Sequence, residues 1–167
     1  MVWAIRYITL IVAVFGLAHC APAPQPAQNP SSRPLFQNST ARGPGYALLA
    51  AQLNGARRAN GRAPLQVNAR LQSAALAHAQ DMARRGYFAH ESPDGGTLRA
   101  RLARVGYEFC FAAENIAQGQ LEPVSVMNDW MGSAGHKRNA LSREAREFGA
   151  ARAPGNIWVL VLGAPCA

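Results

Sequence analysis

Apolar residues recur at helical spacing in the first patterned part of the chain. Leu49, Leu53 and Ala56 fall on one face of residues 46–60, and the run ends at Asn60-Gly61, a natural helix stop. Residues 64–67, Pro-Leu-Gln-Val, read as a short connector. Asn68 then caps a second predicted helix that reaches Arg85 and stops at Gly86. Its stripe is Leu71, Ala74, Ala75, His78 and Met82. Residues 87–96 break all periodicity, and Pro93-Asp94-Gly95-Gly96 is turn chemistry. Thr97 caps a short helix over 98–105 that stops at Gly106. Residues 109–117 are apolar except for Glu114 and Asn115. A third long helix is predicted from Pro123, a good first-turn residue, through Trp130 towards Ser133.

Two strands close the pattern. The first covers 148–152, and Pro154-Gly155-Asn156 makes a turn. The second, Ile157-Trp-Val-Leu-Val-Leu162, is apolar without interruption, which suits a buried central strand better than a sheet edge. Helices first and an antiparallel hairpin last predict an α+β sandwich rather than a doubly wound sheet. No internal repeat or glycine-rich phosphate loop occurs.

The beginning of the chain has a different character. Arg6 is followed by 12 apolar residues, Tyr7 to Ala18, which fits a secretory signal over residues 1–21. A membrane-spanning helix needs about 20 such residues. Leu17-Ala18-His19-Cys20 resembles the box of bacterial lipoproteins, in which Cys20 would be lipidated. Ordinary cleavage near Ala21 is the alternative, and the residues leave both open. Residues 22–45 are rich in Pro, Gln, Asn and Ser and are expected to form a disordered tether. The folded domain is then 46–167, about 120 residues, the size of one domain. It is expected to be a monomer, tied to a membrane only through a Cys20 lipid or the signal.

Charge narrows the choice of partners. The 167 residues carry 17 Lys and Arg against 9 Asp and Glu, a net charge of +8. Such a balance permits contact with anionic polymers. The arginines are scattered over predicted helices rather than interleaved with aromatics, so no nucleic-acid partner is expected. An anionic cell-envelope component remains open as a partner. Of the three cysteines, Cys20 leaves with the signal or is lipidated. Cys110 and Cys166 then form an even pair, predicted to close a disulfide outside the cytoplasm. The expected location is extracytoplasmic: secreted, periplasmic or lipid-anchored.

Four ionisable residues stand in apolar or turn-rich surroundings: His90, Glu114, His136 and Glu147. A carboxylate in an apolar segment is costly unless partnered. Imidazole is a natural partner, because one ring nitrogen can donate to it while the other faces outward. Facing one cleft, such pairs could hold a divalent metal such as zinc, with His90 and His136 as candidate ligands. No HExxH or Cys-x-x-Cys pair is present. His78, Trp130 and Trp158 read as core residues, and Glu91 and Asp94 as turn-surface charges.

From Leu48 onward the chain resembles the bacterial branch of the CAP (SCP-like) superfamily, which includes cysteine-rich secretory, antigen 5 and pathogenesis-related proteins. The resemblance is carried by Leu53-Asn54, Arg57-Arg58 and Pro64-Leu65, then by Ala77-His78-Ala79-Gln80-Asp81-Met82-Ala83. Gly86-Tyr87-Phe88-Ala89-His90, Ser92-Pro93-Asp94-Gly95 and Ala113-Glu114-Asn115-Ile116-Ala117 continue it. Trp130-Met131 and Gly135-His136-Lys137-Arg138-Asn139 complete it. The resemblance implies a single α-β-α sandwich with a cleft lined by two His and two Glu. His90, Glu114 and His136 fall on matching positions. Ser133 stands where the second Glu is found, and we read Glu147 as its substitute. Members have been linked to sterol or lipid binding, to divalent metal and to hydrolase activity. The expectation is a non-enzymatic module binding a small apolar ligand, a metal or an envelope component. The alternative is a metal- or His-assisted hydrolase of peptide or envelope polymer, with Glu114 as base or orienting group. No nucleophile is evident, although Ser92 and Ser133 lie near the motif histidines.

Overall fold

A computed structural model of the chain describes residues 44–166, with side chains from residue 46. The expected signal segment 1–21 with Cys20, and all but the last two residues of the tether 22–45, lie outside the described residues. Among the described residues no helix is long and apolar enough to cross a membrane.

The elements are, in chain order, α1 (Pro44–Ala59), β1 (Gln66–Val67), α2 (Ala69–Arg85), α3 (Leu98–Arg104), β2 (Phe111–Gln118), α4 (Pro123–Gly132), α5 (Ala134–Ala140), β3 (Glu147–Ala153) and β4 (Ile157–Ala164). Their boundaries follow local chemistry. The Asn68 side chain accepts from the Arg70 and Leu71 amides to start α2, and Gly86 ends it with a φ of 68°. Thr97 accepts from the Ala100 amide to start α3.

The sheet runs β1-β3-β4-β2, with β1 parallel to β3 and the other pairs antiparallel. The central strand β4 is buried along its whole length, as its unbroken apolar run predicts. Its side chains alternate between two cores. Trp158, Leu160 and Leu162 pack with Leu49 and Leu53 of α1 and with Val126 and Trp130 of α4. Ile157, Val159 and Val161 pack with Leu71, Ala75 and Met82 of α2 and with Leu102 of α3. The result is an α-β-α sandwich.

Three elements differ from the sequence expectation. Residues 66–67 are a short edge strand rather than a connector. Residues 111–118 form β2, whose apolar run the adjacent polar pair Glu114-Asn115 interrupts. Beyond α4 a separate helix, α5, begins after the extended backbone of Ser133. Only Ala140 of α5 is buried, so no apolar stripe announces it.

Close approach locks α2 onto β3. A Cβ on Gly149 would lie 2.1 Å from the Gln72 nitrogen and 2.2 Å from the Leu71 carbonyl carbon. At that distance the Gln72 amide pairs with Ala150, donating to its carbonyl and accepting its N–H at 3.1 Å. Because β1 covers only residues 147–148 of β3, Gln72 covers the next step of that open edge.

Two arginines are not surface charges. Arg57, 1% exposed, donates from Nε to the Ala63 carbonyl at 2.8 Å and from Nη1 to the Ala140 carbonyl at 2.7 Å. It thereby ties α1 to the end of α5. Arg101 is the second and belongs to the site below. Cys110 and Cys166 form a disulfide, closing the ends of the paired strands β2 and β4.

Candidate functional site

The site is built on β2, the edge strand beside β4. Successive strand residues face opposite sides, so Glu114 and Asn115 point into different layers. Glu114 pairs in register with Val161 and faces α2 and α3; Asn115 pairs with Leu160 and faces α4 and α5. Each of the two anchors one histidine segment.

On the Glu114 side, His90 comes from the irregular loop between α2 and α3. Its Nδ1 lies 2.9 Å from Glu114 Oε1. Because the carboxylate accepts at this nitrogen, the other ring nitrogen faces away from it. The His90 side chain is half exposed, whereas that of Glu114 is buried. Hydrogen bonding to Glu114 holds the His90 imidazolium above its ordinary pKa, against an opposing effect of burial.

Arg101 of α3 completes this arrangement. Its Nη2 donates to Glu114 Oε2 at 2.8 Å and to the His90 carbonyl at 3.0 Å, while Nη1 donates to the Gly96 carbonyl at 3.0 Å. One buried guanidinium therefore grips two points of the loop that carries His90, His90 itself and Gly96, together with the carboxylate that orients the His90 ring. His78 of α2 lies behind, with Nε2 3.6 Å from Glu114 Oε1. It is the buried core residue its helical stripe predicts. Burial pushes its pKa below the ordinary imidazole range.

On the other face, Asn115 Nδ2 donates to the His136 carbonyl at 3.0 Å. Asn139 Nδ2 donates in turn to Asn115 Oδ1 at 2.9 Å and to the Glu114 carbonyl at 3.2 Å. These bonds fasten α5 to the strand edge. His136 lines an open recess of about 620 Å³ with Phe88, Ile116, Trp130 and Ser133. Its pKa is lowered, by burial first and by the neighbouring charge of His90 second. The two imidazoles thus influence each other, and Phe88 extends the recess towards the His90 loop.

Glu147 stands apart from this group. It opens β3, with β4 between it and the strand of Glu114, and its Oε2 accepts from the Tyr107 hydroxyl at 2.7 Å. Its reading as the second cleft carboxylate is therefore corrected: strand order places it across the sheet. Ser92 Oγ donates to Asp94 Oδ1 at 2.5 Å and accepts from the Gly96 amide at 3.0 Å, so its hydroxyl serves the turn.

A zinc centre of the catalytic kind takes three protein ligands. Among the described residues no group of three or more His, Cys, Asp or Glu is arranged to hold a metal. Glu114 is engaged by Arg101 and His90, and Glu147 by Tyr107. The pair His90 and His136 therefore lacks a third ligand, and the residues do not fit such a centre.

Arg101 and Asn139 are functional neighbours that no ionisable-residue pattern singled out. Asn139 and Asn115 lie within the segments that carry the family resemblance. Arg101 lies outside them, on an arginine-rich helix where it reads as one surface cation among several.

The comparisons agree with this architecture. The model of the cysteine-rich secretory protein family matches residues 50–162, and the chain belongs to that family. The YkwD protein of Bacillus subtilis is 37% identical over 106 residues, 63% of this chain and 41% of that protein. The YlbC membrane protein of the same organism is 32% identical over 75 residues, 45% of this chain and 22% of its own length. The chain thus spans less than half the length of these curated relatives. An extracellular protein of Bacillus anthracis containing an SCP domain superposes with a TM-score of 0.68 at 24% identity, over 83% of this chain and 45% of that one. An outer surface protein of Borrelia burgdorferi gives 0.66 at 21% identity, over 72% and 92%. At these identities the two structures share the fold.

Proposed function

We propose that this chain is an extracytoplasmic binding module whose cleft, at the free edge of β2, holds a small envelope-derived ligand without converting it. The recess beside His136 joins an apolar surface, Phe88, Ile116 and Trp130, to polar groups. A His90 ring with a raised pKa favours a ligand group that is anionic or accepts hydrogen bonds. The observation that carries the reading is the engagement of Glu114. Both of its oxygens have partners and its side chain is buried, so it orients His90 rather than abstracting a proton from a substrate. The disulfide supports a location outside the reducing cytoplasm. The extracellular and outer-surface descriptions of two structural neighbours point the same way.

The same His90–Glu114 pair is also what a general base needs, so hydrolysis of envelope polymer is the second reading. On that reading the nucleophile is a water activated by His90, since the Ser92 hydroxyl is committed to its own turn. One experiment separates the two. Soluble peptidoglycan fragments and anionic phospholipid vesicles are each incubated with the protein, and both retained ligand and released products are measured. Retention without products, lost in a His90→Ala/His136→Ala variant, is expected. Retention unchanged in that variant overturns the cleft reading. Products that disappear in Glu114→Gln replace the module with a hydrolase. Fractionation of a Cys20→Ser variant separates lipid anchoring from release.

A further inference from the structure

Three arginines that stand apart in the sequence meet in the fold at the turn after α5. Arg57 Nη1 donates to the Ala140 carbonyl at 2.7 Å and to the Ser142 carbonyl at 3.0 Å. Arg62 Nε donates to the Leu141 carbonyl at 2.9 Å. Arg146 Nη1 donates to the carbonyls of Arg143 at 2.6 Å, Glu144 at 3.2 Å and Ala145 at 3.1 Å. Every carbonyl from residue 140 to residue 145 thus accepts from a guanidinium. These bonds fix the turn, since carbonyls at a helix end favour cations beside them.

Bonds to carbonyls leave the cations without counter-ions. Segments 57–67 and 134–146 carry seven Lys and Arg against one carboxylate, Glu144, and none of these residues forms an ion pair among the described residues. Glu147, next along the chain, is taken by Tyr107. The cations feel one another: burial first, and then the charges of Arg62 and Arg146, hold the Arg57 guanidinium below its ordinary pKa. Each structural bond also uses only part of its guanidinium. Both terminal nitrogens of Arg62 lack a protein partner, and neither is sealed from solvent. Arg146 is exposed, and its Nε and Nη2 are likewise unpartnered. Forks held in place in this way lose little further freedom when an oxyanion binds.

The surroundings narrow the partner. Guanidinium forks match phosphate and carboxylate groups. Neither segment contains a Phe, Tyr or Trp on which a nucleobase could stack. Val67 is the one large apolar side chain in them that is exposed, too little apolar area for a membrane interface. Separate cations on an open surface suit a repeating anion better than a single ion, because linked contacts reinforce one another. A phosphodiester chain carries such charges in its own backbone, where an open surface can reach them. We propose that this turn is a docking surface for a linear phosphodiester polymer of the cell envelope, its phosphates paired with the free faces of Arg62 and Arg146 and with Arg143. His136 stands near the start of α5 and the turn follows its end, and the turn shares no residue with the recess. Docking here is therefore independent of what the cleft binds.

The test titrates poly(glycerol phosphate) into the full chain at low and at physiological salt, with phosphatidylglycerol vesicles and single-stranded DNA in parallel arms. Saturable binding of the polymer that weakens with salt is expected. It should be about tenfold weaker in Arg62→Gln/Arg146→Gln. Arg143→Gln, whose side chain has no protein partner, should weaken it about threefold and reports on the surface even if the double variant unfolds. Arg99→Gln/Arg104→Gln removes two charges from α3, in the opposite layer, and should bind as the wild type does. No polymer binding by the wild type overturns the surface. An equal loss in the α3 variant overturns it as attraction to net charge only. Vesicle or DNA binding in place of polymer binding, lost in Arg62→Gln/Arg146→Gln, gives the turn a different partner and overturns the polymer. Polymer binding lost in His90→Ala/His136→Ala moves the polymer to the cleft and overturns the turn.

Discussion

Arg101 Nη2 donates to Glu114 Oε2 at 2.8 Å, and both side chains are below a tenth exposed. An ion pair in this setting contributes little net stability, because each charge has lost its hydration. Removing one partner is another matter, since the survivor is left charged and buried. Glu114→Gln keeps the shape but withdraws the charge facing Arg101. A loss of about 3–5 kcal/mol is expected, read as a lower urea midpoint with an unchanged slope. A loss below about 1 kcal/mol, the range of exposed pairs, would show that solvent reaches Arg101.

His90 makes stability depend on pH in a definite direction. Its pKa is raised above 6.5 by the hydrogen bond to Glu114. A proton held more tightly in the folded state stabilises the fold below the unfolded pKa, and that gain is lost as pH rises through the folded pKa. The difference in melting temperature between wild type and His90→Gln should therefore be larger at about pH 5.5 than at about pH 8.5. The ring is half exposed, so the effect stays within about 1 kcal/mol. His78 and His136, whose pKa values burial lowers, act in the opposite sense: they cost stability as pH falls below 6.5. Both are present in each protein, so their contribution largely cancels from the comparison. A difference that grows with pH would contradict the assigned His90–Glu114 pairing.

The sequence made the scaffold legible wherever burial is one-sided or complete. The stripe from Leu71 to Met82 and the unbroken run of β4 each admit one reading, because every apolar position has to be covered. β2 was hidden because an edge strand facing two layers carries its polar pair, Glu114 and Asn115, in the middle of its run. His90, Glu114 and His136 were visible as polar residues in unsuitable surroundings. What tethers them was not. Arg101 reaches Glu114 only because α3 folds back over the sheet, and its sequence neighbours Arg99 and Arg104 are exposed. Glu147 shows the converse. A carboxylate at a strand start is easily read as a cleft residue, but strand order is a long-range property that local pattern does not encode.

Gly149 carries the contact between α2 and β3. Any side chain there meets backbone atoms of Leu71 and Gln72 at 2.1–2.2 Å, and backbone cannot swing aside as a flexible side chain can. Gly149→Ala should cost at least about 1–3 kcal/mol, the usual penalty for overpacking. It should also weaken the pairing of Gln72 with Ala150. Faster hydrogen exchange of the Ala150 amide, along with a lower unfolding midpoint, would report both effects. Exchange at wild-type rates would mean that α2 tilts away without losing the Gln72 contact.

The disulfide acts on the unfolded chain more than on the fold. Cys110 and Cys166 are 56 residues apart, and closing a loop of that length removes about 4 kcal/mol worth of unfolded-state entropy in the chain-entropy model. The bond also joins β2, the strand that carries the site, to its inner neighbour β4, where the Cys110 amide already donates to the Ala164 carbonyl at 3.0 Å. Without it, residues 111–113 keep their hydrogen bonds to β4 and only a partial burial against the two cores, whereas residues 114–117 are buried, and strand ends with less tertiary support open more readily. A Cys110→Ser/Cys166→Ser variant should therefore lose about 4 kcal/mol and exchange the amides of residues 111–113 faster than those of residues 115–117. The gradient distinguishes the two contributions. A uniform loss along β2 would assign the whole effect to the unfolded state, whereas an unchanged midpoint would remove the disulfide from the stability of this fold.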